Sequence, residues 1–346
     1  MKEAEKKESP EYLRISLSSA MWLDLKNGLF WRGAKSPCVN LLVTYDEGCY
    51  ANCSYCGLAR KRPGKWAKKS FIHVGWNKYL TTELIKRVAE REKIVKRACI
   101  SMITNKRCVG DTIEILSEFR KSSSVKLSVL LSPTVITKSD IEAMKNAGAD
   151  KVGIAVDAAT PKLFKKFRGE EVSGPHVWEV YWERVEEAVS VFGKGNVGVH
   201  LIVGIGETEH EMCAILQKVH DVGAETHLFS FLAEPESAMA EVPQPQLGHY
   251  RRMQLARYII DNNISSLSKF EFSQEGRLEN FGIPQDKLDE VINSCTPFET
   301  SGCTGADGAV ACNRPFANTI IPEVRNFPFK PNEEDIEKIR ADLKTK

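Results

Sequence analysis

The chain has 346 residues, 42% of them hydrophobic, which is enough for one large α/β barrel or two ordinary domains with sizeable cores. Its formal net charge of +2 argues against a general nucleic-acid-binding surface. The charged segment MKEAEKKESPEY does not resemble a signal peptide, and no apolar run is long enough to span a membrane. We therefore expect a cytoplasmic protein without membrane or nucleic-acid partners. In that compartment its ten cysteines are expected to be metal ligands or buried thiols, not disulfides.

Six apolar runs rich in β-branched residues are typical of strands buried on both faces of a parallel sheet. They are Val39–Thr44, Ala98–Ile103, Lys126–Leu131, Lys151–Val156, Val197–Val203 and Thr226–Leu232. Amphipathic helices are predicted between them, at Thr81–Val95, Asp111–Lys121, Thr137–Asn146, Val177–Phe192 and Glu209–Val222. Six β/α units in a row predict an α/β fold, a full or partial TIM-type barrel.

The segments outside these units are expected to be extensions of the barrel. A helix at Leu247–Asn263 and a strand at Lys269–Phe272 would extend the barrel towards eight units. We therefore divide the chain into an N-terminal extension (1–36), the barrel (37–283) and a C-terminal tail (284–346).

The first predicted strand is followed by a loop with three cysteines, Cys49, Cys53 and Cys56, in the spacing C-x3-C-x2-C. Three such thiolates can bind three irons of one [4Fe–4S] cluster and leave the fourth iron open to a small chelating molecule. The loop would lie at the carboxyl end of a barrel strand, where active sites are built. The alternatives are a zinc knuckle, which normally needs four ligands in two pairs, or cysteines without a shared role.

This loop, with the aromatic Tyr55 before its last cysteine and a strand before it, resembles the radical S-adenosylmethionine superfamily. The resemblance extends from about Val39 to Phe272. It implies that the open iron binds the amino and carboxylate groups of S-adenosylmethionine. It also implies that one electron from an external donor cleaves the C–S bond of this cofactor. The resulting 5′-deoxyadenosyl radical abstracts hydrogen from an unactivated carbon inside a barrel that excludes water.

The same resemblance places cofactor contacts at the ends of the next strands. Thr104 and Asn105 end the second strand, where family members often carry a Gly-Gly-Glu run that binds the methionine amino group. That run is absent, so Thr104 or Asn105 would have to replace it, and otherwise they form a polar loop. Asp157 resembles the aspartate of biotin-synthase-like members that binds ribose or substrate, but it could also cap a helix.

Two further cofactor contacts are expected beyond the fourth strand. Arg168 could pair with the methionine carboxylate in a bidentate contact, or it could be solvated. Gly204 and Gly206 form a glycine turn after the fifth strand, and such turns allow close backbone approach to a ligand. By resemblance, this turn lies beside the adenine.

The C-terminal tail carries Cys295, Cys303 and Cys312 within eighteen residues, among glycine and polar turn formers. This composition predicts a metal-organised loop, most simply with an auxiliary [4Fe–4S] cluster. Zinc and buried structural thiols are the alternatives. Cys38 precedes the first strand and is expected at the wrong end of the barrel, and Cys213 is expected in the core. The candidates for a fourth ligand are substrate, Ser301, Arg314, Cys38, Cys99 and Cys108.

Three segments resemble subunits of the two-protein archaeal-type lipoyl synthase: NLLVTYDEGCYANCSYCGLARKR, SFIHVGWNKYLTTELI and the tail GCTGADGAVACNRPFAN with RNFPF. The resemblance implies sulfur insertion into an octanoyl chain on a lipoyl carrier protein, jointly with a second radical protein. Strands three and five lack cysteines, which argues against the substrate of biotin synthase. The alternatives are a mutase of the methylornithine synthase type, which needs no second cluster, and a non-catalytic iron–sulfur maturation or scaffold protein.

Overall fold

The computed structural model describes residues 6–70, 72–312, 316 and 318–345, without the side chain of Ala67. The strands of this part are β1 (Tyr12–Ser16), β2 (Cys38–Val43), β3 (Trp76–Leu80), β4 (Arg97–Ser101), β5 (Lys126–Leu131), β6 (Lys151–Asp157), β7 (Val197–Val203), β8 (Glu225–Ser230), β9 (Glu271–Phe272) and β10 (Leu278–Asn280). The α-helices are α1 (Leu17–Trp22), α2 (Thr81–Glu90), α3 (Cys108–Ser122), α4 (Lys138–Asn146), α5 (Pro161–Phe167), α6 (Trp178–Phe192), α7 (Glu209–Asp221), α8 (Leu247–Asp261), α9 (Gln285–Asn293) and α10 (Glu333–Lys344). None of the described helices is long and apolar enough to cross a membrane.

Eight strands form one mixed sheet in the order β3-β1-β2-β4-β5-β6-β7-β8. The six strands from β2 to β8 in this order are parallel, and helices such as α6 pack on them. Among the described residues β3 and β8 do not pair with each other, so the sheet is not closed. The prediction of an α/β fold with a partial barrel is therefore confirmed.

The two strands that complete the sheet are not the ones expected. The segment Lys269–Phe272 contains β9, which pairs only with β10 in a separate small sheet. The N-terminal segment instead supplies β1, which runs antiparallel between β2 and β3. Strand β1 contains Arg14, which is buried and donates hydrogen bonds to the carbonyls of Trp76 (2.9 Å) and Lys69 (2.6 Å). Leu13 and Ile15 alternate with Arg14 and Ser16 as in a strand, but five residues with a charged one at the centre give a weak signal, so the sequence analysis did not identify β1.

The inner face of the barrel has an apolar layer near the carboxyl ends of its strands and a more polar layer beneath it. Successive side chains of a strand point to opposite faces, so residues two apart share a face. The upper layer lines a cavity and contains Leu42, Ser101, Leu130, Ala155, Ile202 and Phe229. Two residues earlier, the same strands carry Asn40, Cys99, Ser128, Gly153, His200 and His227. Barrel interiors are usually filled with branched apolar residues, so this lower layer is unusual.

The C-terminal tail follows the open edge of β8. The backbone N–H of Leu228 donates to the Ser301 hydroxyl (3.2 Å), and the Asn326 amide donates to the carbonyl of Leu228 (3.3 Å). Further along, the Asn318 amide donates to the carbonyl of Ser230 (2.9 Å). The tail thus satisfies polar groups that an edge strand would otherwise expose.

Arg97 joins the tail to the amino end of the parallel sheet. Its buried guanidinium makes two hydrogen bonds to the Asp150 carboxylate (2.7 and 2.8 Å). The same group donates twice to the carbonyl of Thr304 in the tail (2.9 and 2.6 Å). One side chain therefore holds together the start of β4, the residue before β6 and the tail.

We expect Arg97→Met to lower the free energy of unfolding by about 3 kcal/mol, because it leaves the Asp150 carboxylate and a buried carbonyl without their donor. Urea unfolding of the metal-free, reduced protein measures this change. The matched control is Lys96→Met, which removes an exposed cation 3.9 Å from Asp307 and should cost less than about 1 kcal/mol. Equal effects of the two substitutions would contradict the anchoring role of Arg97.

Candidate functional site

A cavity of about 210 Å³ lies at the carboxyl ends of the parallel strands, and Cys49, Cys53 and Cys56 line it. Hydrogen bonds hold their loop against two neighbouring segments: Tyr50 N donates to Thr104 O and Ser54 N to Phe167 O, each at 2.8 Å. The structure therefore brings the three predicted cysteines together at one wall of the cavity.

The chemistry of this wall fits an iron–sulfur cluster. Burial raises the pKa of all three thiols, so their thiolate forms need a nearby positive charge such as iron. The backbone N–H of Leu58 points at the Cys56 sulfur (3.4 Å). No three Cys, His, Asp or Glu side chains in the described ranges converge on a point where one metal ion would bind. A [4Fe–4S] cluster makes a different demand, since each thiolate binds its own iron.

Asp157 and Arg168 form a buried pair that lines the cavity beside the cysteine loop. The Arg168 guanidinium lies 3.1 Å from the Asp157 carboxylate, which also accepts a hydrogen bond from the Tyr55 hydroxyl (2.6 Å). Asp157 has a φ of +64°, a strained conformation for a non-glycine residue that is typical of functional sites. The cap of α5 is Thr160 and not Asp157, and Arg168 is buried rather than solvated.

Arg168 is held rigidly in this position. Its terminal nitrogens donate to the carbonyl of Val156 (3.0 Å) and to the Tyr181 hydroxyl (3.1 Å), and its Nε has no partner among the described residues. Behind it lies His176, whose pKa burial and the guanidinium lower to about 2, so its ring is neutral. Burial raises the pKa of Cys53, and the Arg168 charge partly opposes this rise. The pair therefore supplies the cavity with one fixed cation beside the cysteine loop.

Thr104 and Asn105 have different positions. Thr104 lines the cavity, and its hydroxyl lies 3.0 Å from that of Ser132. The Asn105 side chain braces the cysteine loop: its amide donates to Gly48 O (3.2 Å), and its oxygen accepts from Arg107 N (3.0 Å). Asn105 does not line the cavity.

Gly204 and Gly206 form the turn after β7 with φ angles of +99° and +114°, which favour glycine. A Cβ on Gly204 would approach the Pro245 ring to 2.6 Å. The Glu207 carboxylate closes the turn by accepting from Gly204 N (2.6 Å) and Ile205 N (3.0 Å), and burial raises its pKa to about 7. Neither glycine lines the cavity itself.

Of the charged residues that line the cavity, the sequence analysis did not identify Glu234. Glu234 follows β8, is only 4% exposed and lines the cavity beside Cys56. Its carboxylate accepts hydrogen bonds from His73 N (2.8 Å) and the Ser70 hydroxyl (3.1 Å). A charged residue just after the last predicted barrel strand was the signal that could have identified it.

A second group of cysteines lies at the amino ends of β2 and β4. Cys312 is within side-chain hydrogen-bonding reach of both Cys38 and Cys99, and the bond with Cys38 contributes most to raising its pKa. Burial raises the pKa of Cys303 to about 12, and the neighbouring Cys99 adds to the rise. We call these four residues the floor cysteines.

A tight hairpin brings Cys303 and Cys312 together. The backbone N–H groups of Ala311 and Cys312 both donate to the carbonyl of Cys303 at 3.0 Å, and Thr304 pairs with Val310. A Cβ on Gly302 would collide with the carbonyl oxygen of Cys312, so the hairpin needs glycine there. The hairpin therefore places the thiols of Cys303 and Cys312 side by side, next to Cys99 of β4.

The placement differs from the expected one in two respects. Cys295 does not share these neighbours, since its sulfur lies against the carbonyls of Asn293 and Pro331. Cys38 was expected at the wrong end of the barrel to share a site with the tail cysteines. Instead the tail brings Cys303 and Cys312 down to Cys38 and Cys99.

The other candidates for a fourth ligand are not among the floor cysteines. The Ser301 hydroxyl accepts a hydrogen bond from β8. Cys108 is buried at the start of α3, Cys213 is buried within α7 as expected, and Arg314 lies outside the described residues.

Comparison with known proteins agrees with the cysteine loop. The radical SAM superfamily model matches residues 44–219, just over half of the chain. A comparison with curated proteins gives no match.

Similar solved structures include methylornithine synthase (PylB), with 12% identity, coverage of 75% of this chain and 79% of that one, and a TM-score of 0.49. They also include HydG, a maturase of the [FeFe]-hydrogenase (13% identity, 65% and 50% coverage, TM-score 0.49). A third is the methyltransferase TsrM from Kitasatospora setae (15% identity, 60% and 38% coverage, TM-score 0.41). The chain spans half of HydG and less of TsrM. On the family match, this protein belongs to the radical SAM superfamily, which implies a [4Fe–4S] cluster and S-adenosylmethionine.

Proposed function

We propose that this protein is a sulfur-insertion enzyme, a lipoyl synthase component that acts on an octanoyl chain attached to a lysine of a carrier protein. The floor cysteines carry the proposal, because they place a second set of thiols below a cavity whose wall holds the first set. A radical enzyme without a second cluster, such as a mutase, has no use for them. A non-catalytic scaffold has no use for an apolar cavity beside the cysteine loop.

The first cluster would be held by Cys49, Cys53 and Cys56, with one iron left for S-adenosylmethionine. When bound, the first cluster and S-adenosylmethionine would supply, with one donated electron, the radical that removes a substrate hydrogen as 5′-deoxyadenosine. The second cluster would supply the sulfide that replaces this hydrogen and would take up the surplus electron. The chain's own part is to hold the reactants and exclude water.

The floor cysteines are the proposed ligands of the second cluster, with Cys295 left out. Cys38 and Cys99 lie on adjacent parallel strands, where Cys99 pairs in register with Asn40. The tail hairpin adds Cys303 and Cys312, so four thiols from three segments are neighbours, two of them buried and two half-buried. No three of these described thiols converge on a single metal ion, whereas a cluster binds each thiolate at its own iron, and zinc is the competing occupant.

The cavity walls support an apolar substrate. They contain Leu42, Met102, Ile103, Leu130, Ile202 and Phe229. Such walls would bind an unbranched acyl chain by burying its surface, and they offer no cluster of cations for a phosphorylated substrate. Cys99 lies two residues below Ser101, on the same face of β4 as this cavity wall. An acyl chain that points inward from the mouth would therefore approach the floor cysteines.

The test is anaerobic incubation of the reconstituted protein with S-adenosylmethionine, dithionite and an octanoyl-lysine carrier peptide, with and without a second radical SAM subunit. Mass spectrometry should detect a peptide in which a thiol group has replaced a hydrogen of the octanoyl chain. The double variant Cys303→Ala/Cys312→Ala should still cleave the cofactor but yield no thiolated peptide. Sulfur addition by this variant would contradict the proposal, as would rearrangement of a free amino acid by the wild type.

A further inference from the structure

Glu234 is a buried carboxylate at the cofactor cavity that has no cationic partner. It is 4% exposed and follows the last parallel strand. A Cβ on Gly57, next to Cys56, would lie 3.0 Å from its carboxyl carbon, so the carboxylate is against the cysteine loop. Its charge contributes to raising the pKa of Cys56.

The protein satisfies this carboxylate only with neutral donors. One oxygen accepts from the backbone of His73 and the other from the hydroxyl of Ser70. Within the described residues no Lys, Arg or His side chain forms an ion pair with it. The nearby Arg62 pairs instead with Glu236 (3.7 Å), an exposed residue two positions further along.

The contrast with the second acid of the cavity is informative. Asp157 is compensated by Arg168 at 3.1 Å, whereas Glu234 faces the same cavity uncompensated. Removing a carboxylate from water is costly unless a cation and hydrogen bonds replace the lost hydration. Among the described residues, the Cys56 side of the cavity is therefore complementary to a ligand that brings a strongly polarised or positively charged hydrogen-bond donor.

We propose that Glu234 accepts a hydrogen bond from the amino group of S-adenosylmethionine, an inference that rests on the first-cluster assignment in the proposed function. This amine belongs to the methionine part that would chelate the open iron, and binding to a metal makes its N–H groups stronger donors, which suits a carboxylate acceptor. Asn105, one of the two residues expected to fill this role, has both polar ends occupied in bracing the cysteine loop. Glu234 takes over the role from a different strand, which explains why the Gly-Gly-Glu run is absent from the end of β4.

The test compares binding of two probes, S-adenosylmethionine and S-adenosylhomocysteine, to anaerobically reconstituted full-length protein by equilibrium dialysis. Glu234→Gln keeps the shape and an acceptor oxygen but removes the charge. We expect it to weaken binding of both probes by about tenfold or more, because both carry the amino group. Glu234→Asp keeps the charge and should recover part of the affinity for both. The matched control is Glu236→Gln, which should change neither dissociation constant by more than about twofold.

Each outcome decides between interpretations. If Glu234→Gln weakens only S-adenosylmethionine, the carboxylate faces the sulfonium and the assignment to the amino group is overturned. Unchanged binding of both probes, with the cluster absorbance of the wild type retained, also overturns it. If the wild type itself assembles no cluster or binds neither probe, the first-cluster assignment fails and this inference fails with it.

Discussion

Replacing Cys49, Cys53 and Cys56 together by alanine is expected to abolish the formation of 5′-deoxyadenosine from S-adenosylmethionine. The three thiols lie at one wall of the cavity, and the chain offers no other cysteine there. Without them the cluster that delivers the electron has no ligands, so the loss should reach the detection limit rather than a partial rate. Anaerobic incubation with dithionite, followed by liquid chromatography of the products, measures it.

The control for this experiment is Cys108→Ala. Cys108 is a buried thiol at the start of α3, and it is not among the cavity residues. Its replacement should leave the yield of 5′-deoxyadenosine within about twofold of the wild type after correction for folded protein. Product formation by the triple variant at the wild-type level would refute the assignment of the cysteine loop.

Anaerobically reconstituted protein is expected to carry about eight irons per chain, four in each of two cubes. Single replacement of Cys38, Cys99, Cys303 or Cys312 by alanine should reduce this number to about four, because each removes a thiolate from the same buried site. The remaining cluster should still cleave S-adenosylmethionine. Iron and sulfide analysis, together with electron paramagnetic resonance of the reduced protein, gives the number of clusters.

Cys295 provides the discriminating control for the second site. Its sulfur contacts the carbonyls of Asn293 and Pro331 and not the floor cysteines, so Cys295→Ala should keep about eight irons. The reverse pattern, with iron lost in Cys295→Ala and retained in Cys38→Ala, would reinstate the ligand set expected from the sequence. Zinc in place of iron at the second site would remove its role as a sulfur source.

The sequence by itself determined the features that depend on neighbouring residues. The spacing of Cys49, Cys53 and Cys56 is a local property, since one short loop must reach three irons of one cube. The six parallel strands were also recognisable, because strands buried on both faces are rich in apolar, β-branched residues. Two of them, Lys126–Leu131 and Val197–Val203, have the predicted boundaries. The family follows from these local features.

The tertiary structure alone decided which distant residues meet. Parallel pairing sets Cys38 and Cys99 on adjacent strands although a whole helical crossover separates them in the chain. The tail then reaches them because Arg97 captures Thr304 and a hairpin joins Cys303 to Cys312. Cys295 is close to Cys303 in sequence, but it precedes the hairpin, and its sulfur lies against the carbonyls of Asn293 and Pro331. Spacing along a chain constrains distance only within a loop, whereas between elements the distance depends on strand register and on how the tail packs against the sheet.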